Sequence, residues 1–371
     1  MKEILADLDR WRRAGERAAV ARVVDLEGSG PRSPGAAMAV TEAGEVVGSV
    51  SGGCVEGAVV TESMEVMAAD DRRIVTFGYS DDEAFAVGLT CGGTIHLFVE
   101  PLEWGPPHDA LSSDLAADSA AALATVVDGP GTGSKMLVRP EGAAVVGSLG
   151  GAGLDRAVQR DARGELVAGR SGLRRYSGQG EYYEHGETTG SEVSVFVESF
   201  APPPRMLIFG AVDFTAALAR VAKVLGYRVT VCDARPVFAT AKRFPMADDV
   251  VVSWPNRLLD DVGAGLGPRD AVCVLTHDAK FDMPAITSAL ATEVGYIGVM
   301  GSRRTHDDRT RRLVRAGVTA EGLARLRSPI GLDIGAATPE ETAVSIVSEI
   351  ISLRTARSAR ALSSTTGPIH D

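Results

Sequence analysis

Met206-Leu207-Ile208-Phe209-Gly210-Ala211-Val212-Asp213-Phe214-Thr215 reads as a buried strand that turns at a glycine into a helix. Four apolar residues without alternation suit a strand covered on both faces. The spacing over 214–225 is helical, and Gly226 ends it. Working outward, residues 228–232, 250–252, 271–275 and 296–300 repeat the short apolar run, with a helical segment at 283–292 before the last. Strand and helix in alternation predict a parallel sheet with helices on both faces. Thr338-Pro339-Glu340-Glu341 opens a final helix with an N-cap, a proline at N1 and a glutamate at N3, which explains Glu341 structurally. Periodicity is lost after Arg354, so 356–371 is expected to form a flexible tail.

This pattern makes residues 205–355 a Rossmann-like, doubly wound domain, whose ligands bind beyond the carboxyl ends of the strands. Gly210 stands where such a domain places its phosphate loop, and Asp233 where an acid holds a ribose. The second glycine of the usual pattern is Val212, which obstructs approach to a pyrophosphate, and Asp213 adds negative charge. NAD(P) is therefore the weaker reading of this loop. Two groups fall on the same edge: Thr276-His277-Asp278, with Asp282 close behind, and Gly301-Ser302-Arg303-Arg304. His277 suits acid–base work near neutral pH and paired arginines suit a phosphate. A capped turn and solvated charges remain the alternative.

Upstream, the tract up to about residue 103 and the tract 117–200 align with each other. Ala21, Val23, Val24 and Asp25 match Ala124, Val126, Val127 and Asp128; Gly35, Met38, Val40 and Gly44 match Gly133, Met136, Val138 and Gly142. Val46-Val47-Gly48-Ser49 matches Val145-Val146-Gly147-Ser148, Ala58-Val59 matches Ala157-Val158, and Phe98-Val99-Glu100 matches Phe196-Val197-Glu198. The collinear order predicts a tandem duplication: an N-terminal α+β domain, 1–200, built from two similar β-rich lobes. Glu103-Trp104-Gly105-Pro106-Pro107-His108-Asp109 between them reads as a linker.

The copies differ where chemistry would sit. Cys54 aligns with Gly153, Cys91 with Thr189, and the loop carrying Arg32 is shortened in the second copy. Ser51-Gly52-Gly53-Cys54 precedes a helical run at 55–67, so a thiol in that first turn would meet unpaired N–H groups and the positive end of the dipole, and favour the thiolate. A thiolate is a nucleophile and a soft metal ligand; a small buried apolar residue is the alternative. Cys91, beside Gly92-Gly93, can approach Cys54 if the halves fold alike. Arg32, in a Gly/Ser/Pro loop, can reach an anion or simply be solvated. Cys232 and Cys273 fall in core strands and read as structural.

The 371 residues carry 38 basic and 49 acidic side chains, a net charge of −11, which argues against nucleic-acid or anionic-membrane partners. No apolar run is long enough to span a bilayer. The charged N-terminus does not read as a signal peptide, and four scattered cysteines suit a reduced cytoplasm. The chain holds 42 glycines, where about 26 would match a usual ~7%.

Gly48-Ser49-Val50-Ser51-Gly52-Gly53-Cys54-Val55-Glu56 resembles the N-terminal signature of the XdhC/CoxI family of xanthine dehydrogenase accessory proteins. Thr276-His277-Asp278, Phe281-Asp282, Tyr296-Ile297-Gly298, Gly301-Ser302-Arg303-Arg304-Thr305 and Pro329-Ile330-Gly331-Leu332-Asp333-Ile334 resemble its C-terminal Rossmann domain, so the likeness spans the whole chain. The resemblance implies an accessory protein that binds molybdenum cofactor, supports its sulfuration by a cysteine desulfurase, and delivers it to an apo molybdenum hydroxylase. Cys54 occupies the position of the signature cysteine, as a molybdenum contact, and Arg303 and Arg304 would take the cofactor's phosphate. Where the family commonly has Gly-His in the first Rossmann turn, this chain has Val212-Asp213, which weakens nucleotide binding there. A homodimer is the default oligomer. The competing readings are an NAD(P)-dependent oxidoreductase and a module that only docks a partner.

Overall fold

The computed structural model describes residues 1–28, 30, 32–78, 93–177, 182–183, 192–276 and 278–366. It divides into two compact units, Met1–Pro202 and Pro203–Thr365. Among the described residues no helix is long and apolar enough to cross a membrane.

The first unit repeats one plan twice. Helix α1 (Leu5–Ala14) leads into β1 (Ala18–Glu27), β2 (Ala37–Thr41), β3 (Val46–Gly48), α2 (Glu56–Ala69), β4 (Arg73–Phe77) and β5 (Thr94–Pro101). Helix α3 (Pro106–Ala116) then leads into β6 (Ala121–Asp128), β7 (Lys135–Val138), β8 (Val146–Gly147), α4 (Ala152–Ala168), β9 (Gly172–Ser177), β10 (Tyr182–Tyr183) and β11 (Glu192–Phe200). The sheets run β3-β2-β1-β5-β4 and β10-β9-β11-β6-β7-β8, so the second is the first with β10 added at its edge. All pairings are antiparallel.

The correspondence extends to the bulges: the β1–β5 register skips Val24 and the β6–β11 register skips Val127. These two valines pack with Phe98 and Phe196 in one buried cluster, each pair being pseudo-equivalent. A bulge turns one extra side chain out of register, and here both valines go into this shared core. Helix α2 covers its sheet through Val59 and Val66, and α4 covers the other through Leu154, Val158 and Leu166.

The expected linker is a correction: Gly105 caps and Pro106 opens α3, because a proline at N1 gives up only an N–H that has no helical partner. Each lobe therefore begins with its own helix.

The second unit contains β12 (Arg205–Phe209), α5 (Asp213–Val224), β13 (Arg228–Cys232), β14 (Asp249–Val251), α6 (Pro255–Val262), β15 (Ala271–Val274), α7 (Ala279–Leu290), β16 (Tyr296–Val299), α8 (Arg303–Arg315), α9 (Ala320–Ala324), β17 (Leu326–Arg327) and α10 (Pro339–Arg354). The sheet order is β14-β13-β12-β15-β16-β17, all parallel. This is the doubly wound Rossmann arrangement. Along β12, Met206 and Ile208 pack with α5 and α10, while Leu207 and Phe209 pack with α6, α7 and α8. Both faces are buried, which accounts for the unbroken apolar run. Two details differ from expectation. Helix α7 starts earlier, at Ala279, because the Asp278 side chain accepts from Lys280 N and caps it, leaving Pro284 inside the helix. The two-residue β17 is too short to announce itself by pattern. The Thr338/Glu341 capping box of α10 forms as read.

Candidate functional site

The loop between β3 and α2 is built around the Glu56 carboxylate. Its Oε1 accepts from Ser49 Oγ (2.6 Å), Ser51 N (2.8 Å) and Val50 N (3.2 Å). Its Oε2 accepts from Ser51 Oγ, Gly53 N (2.9 Å) and Val55 N (3.2 Å). Ser51 Oγ in turn accepts from Cys54 N (2.9 Å), and Ser49 Oγ from Gly52 N (2.9 Å). Gly52 and Gly53 have φ of 78° and 120°, a region that favours glycine. Ser51 is buried, whereas Gly52, Gly53 and Cys54 are exposed. Burial opposes ionisation of Glu56, but the hydroxyls of Ser49 and Ser51 and the backbone amides outweigh it and hold the carboxyl down at about 2.

Two expectations for this loop change. Helix α2 begins at Glu56 with Val55 as N-cap, so Cys54 precedes the first turn instead of lying in it. The amides of Gly53, Cys54 and Val55 are not left over for a ligand; Glu56 and Ser51 take them. The second lobe shows why. There Asp155, in the place of Glu56, accepts from Ser148 Oγ (2.7 Å) and Leu149 N (2.7 Å), and α4 is already wound from Ala152. In the first lobe the equivalent residues, from Gly53 to Val55, are unwound and present the thiol. Glu56 was missed by sequence reasoning, although its alignment with an acid in the other copy was visible.

Cys91 lies outside the described residues, and with it the expected approach to Cys54. Arg32 is placed elsewhere: its Nη2 meets Glu3 Oε2 at 2.7 Å, and it lines a cavity of about 480 Å³ whose lining does not include Ser51–Cys54. Cys232 and Cys273 are buried in β13 and β15, and burial pushes the thiol of Cys232 up to about 12 and raises that of Cys273 further.

In the second unit Gly210, Asp233, Asp278 and Ser302 follow β12, β13, β15 and β16, so all four fall on the carboxyl edge of the sheet. Gly210 has φ of 110°, and a Cβ there would stand 2.7 Å from Thr276 Cγ2. It serves close packing of loop on loop. Asp233 is buried, with Oδ2 accepting from Ala211 N (2.8 Å) and Arg235 Nη2 (2.8 Å), and Oδ1 from Arg235 N and Nε (both 2.9 Å). Burial works against its charge, yet the Arg235 fork and the Ala211 amide hold its carboxyl below the ordinary range. The acid read as a ribose holder is thus taken up by Arg235 of its own loop and by the Ala211 amide of the loop after β12. Ser302 caps α8 by accepting from Thr305 N (3.2 Å), and Arg303 and Arg304 are exposed on the first turn of that helix. His277 lies outside the described residues. A buried network was not foreseen here: Thr276 Oγ1 donates to Asp282, whose Oδ2 meets Arg309 Nη2 at 3.1 Å, and Arg309 also donates to Met300 O and Ser328 Oγ. Arg309 looked like one more arginine of a charged helix.

The model of the XdhC Rossmann domain matches residues 206–350, and that of the XdhC and CoxI family matches 11–78 and 114–177, one stretch in each lobe. The chain is 30% identical over 350 residues to a protein of Bacillus subtilis named as a probable xanthine dehydrogenase subunit, covering 91% of this chain and 94% of that one. It is 26% identical over 344 residues to the molybdenum cofactor insertion chaperone PaoD of Escherichia coli, covering 92% and 85%. A crystal structure described as a xanthine dehydrogenase from Bacillus halodurans is similar over 97% of both chains, with 26% identity and a TM-score of 0.66. With the signature loop, the duplicated lobes and the parallel six-stranded domain all accounted for over nearly the full length, the chain belongs to the XdhC and CoxI family.

Proposed function

We propose that this protein binds molybdenum cofactor and hands it to an apo molybdenum hydroxylase of the xanthine dehydrogenase type, acting as a chaperone and not as a redox catalyst. The observation that carries the reading is Cys54: an exposed thiol on a tied-down loop, in the one lobe of two whose helix is unwound to present it. The name of the Escherichia coli relative supports the cargo, and that of the Bacillus subtilis relative supports the enzyme served. Among the described residues no three His, Cys, Asp or Glu side chains lie together as a metal-holding set. A single exposed sulfur at Cys54 suits a metal that brings its own sulfur ligands, as a pterin dithiolene does. Glu56 and Ser51 fix the backbone beneath the thiol, and at neighbouring Gly52 and Gly53 a Cβ would meet nothing within 4 Å.

The finer parts of the proposal are sulfuration of the bound cofactor with a cysteine desulfurase as partner, a homodimeric state, and a cytoplasmic site of action. Arg303 and Arg304 are proposed to take a phosphate, as a separate question for the second unit. The oxidoreductase alternative is disfavoured by the Ala211–Asp233–Arg235 arrangement, which uses groups that a dinucleotide would need.

The test mixes purified protein with molybdenum cofactor and measures retained molybdenum and pterin after gel filtration. Wild type is expected to retain cofactor and Cys54→Ala to lose about tenfold or more in affinity, with unchanged circular dichroism because the side chain is exposed. Equal retention by a folded Cys54→Ala protein overturns the reading. Arg303→Ala, run alongside, shows whether the second unit contributes to retention.

A further inference from the structure

The loops on the carboxyl edge of the second unit converge on one buried ion pair. Asp282, in the first turn of α7, and Arg309, in the middle of α8, are each 5% exposed at the side chain, with Arg309 Nη2 3.1 Å from Asp282 Oδ2. Asp282 also accepts from Thr276 Oγ1, in the loop after β15. Arg309 Nη2 donates to Met300 O (2.9 Å), just after β16, and its Nη1 donates to Ser328 Oγ (3.1 Å), just after β17. The loop after β12 closes on the same group, since a Cβ on Gly210 would stand 2.7 Å from Thr276 Cγ2. Gly301 packs against the guanidinium: a Cβ there would come 3.5 Å from Arg309 Nη1.

A buried pair of this kind is a poor source of stability. Taking both charges out of water costs about what their attraction returns, and packed apolar side chains of similar size often serve a fold as well. What apolar side chains lack is direction. The guanidinium is planar, with its donors in a fixed fork, so one side chain reaches Asp282, Met300 and Ser328 at set angles. A lysine carries the charge without the fork. The bond to Met300 O ties α8 back to the end of the strand that precedes it, and Ser302, Arg303 and Arg304 lie between those two anchor points. Ser302 then fixes the first turn by accepting from Thr305 N.

We propose that Asp282 and Arg309 are positioning residues. They hold the first turn of α8 and the loop after β17 in place, and so set the aim of Arg303 and Arg304 at a phosphate-bearing ligand that neither of them touches. The ligand class rests on the phosphate reading of Arg303 and Arg304 given above, whereas the convergence of the loops on the pair does not.

The experiment titrates the full chain with inorganic phosphate at low salt by calorimetry and follows amide hydrogen exchange of the same proteins. Arg303→Ala and Arg304→Ala are expected to weaken phosphate binding about tenfold, the worth of a charge-assisted hydrogen bond. Arg309→Lys and Arg309→Met are expected to weaken it to the same degree while circular dichroism stays that of wild type. Exchange should rise in 300–308 and 328–335 and stay slow in β12, β15 and β16. Binding rescued by Arg309→Lys overturns the proposal, because charge alone would then suffice. Exchange that rises across the three strands as well overturns it too, since the pair would then only hold the fold together. Phosphate binding that is absent, or indifferent to Arg303→Ala and Arg304→Ala, sinks the phosphate reading. In that case exchange in Arg309→Lys still decides the positioning: a rise confined to the two loops upholds it, and no change overturns it.

Discussion

The Glu56 carboxylate gathers the Ser49 and Ser51 hydroxyls and the amides of Val50, Ser51, Gly53 and Val55. With its folded pKa near 2 and an ordinary value of 4.5 when unfolded, it contributes stability that is fully present above about pH 4.5 and fades as pH falls toward 2. Glu56→Gln turns an acceptor into a donor facing N–H groups and is expected to cost about 1–3 kcal/mol at pH 7 after allowance for solvent screening. Urea unfolding of both proteins at pH 7 and pH 3 checks this. The gap should shrink at pH 3, and a gap of equal size at both pH values would contradict the assignment. Cys54 stood out in the sequence because its twin is Gly153. Glu56 did not, because its twin Asp155 does the same job and no contrast draws the eye.

At the scale of elements, the paired bulges at Val24 and Val127 feed the cluster completed by Phe98 and Phe196. Phe98 and Phe196 are both wholly buried. Truncating either to alanine is expected to cost about 3–5 kcal/mol, read as a drop in the denaturant midpoint. The two losses should be similar, since the sites are pseudo-equivalent; a loss under about 1 kcal/mol at either would mean that the seam is not a packed core. The strands and the duplication were readable because apolar runs and matching glycines carry local signals. Helix α3 was not, since its opening Pro106-Pro107 looks like a break until its N1 position is seen.

Across the whole molecule the charge is −11, and the seam between the lobes buries charges of both signs against each other. Arg22 is fully buried, pairs with Glu100 and approaches Glu198, and Lys135 joins Glu100 from the other lobe. Burial works against the charge of Glu100, and Lys135 and Arg22 outweigh it. His108 of α3 lies close by, 5% exposed; burial first, then the charges of Lys135 and Arg22, push its pKa down to about 4. Its folded pKa is below the ordinary 6.5, so the unfolded chain takes up the proton first. The resulting stability is complete above about pH 6.5 and is lost as pH falls toward 4, on the order of 3 kcal/mol at most. Thermal unfolding across that window should show wild type losing more than His108→Gln; parallel curves would contradict the assignment.

The sequence by itself determined the parallel Rossmann-like sheet, the doubling of the N-terminal lobes, the family signature and the cysteine that one lobe alone carries. Each is written locally, in runs and spacings along the chain. Tertiary structure alone decided which charges meet. Arg22 and Glu100 lie on adjacent strands but far apart in sequence, and Asp233 is taken up by Arg235 and by the Ala211 amide of another loop. Hydrogen bonds and ion pairs depend on distances of a few ångströms between distant segments, and no periodicity along one chain encodes them.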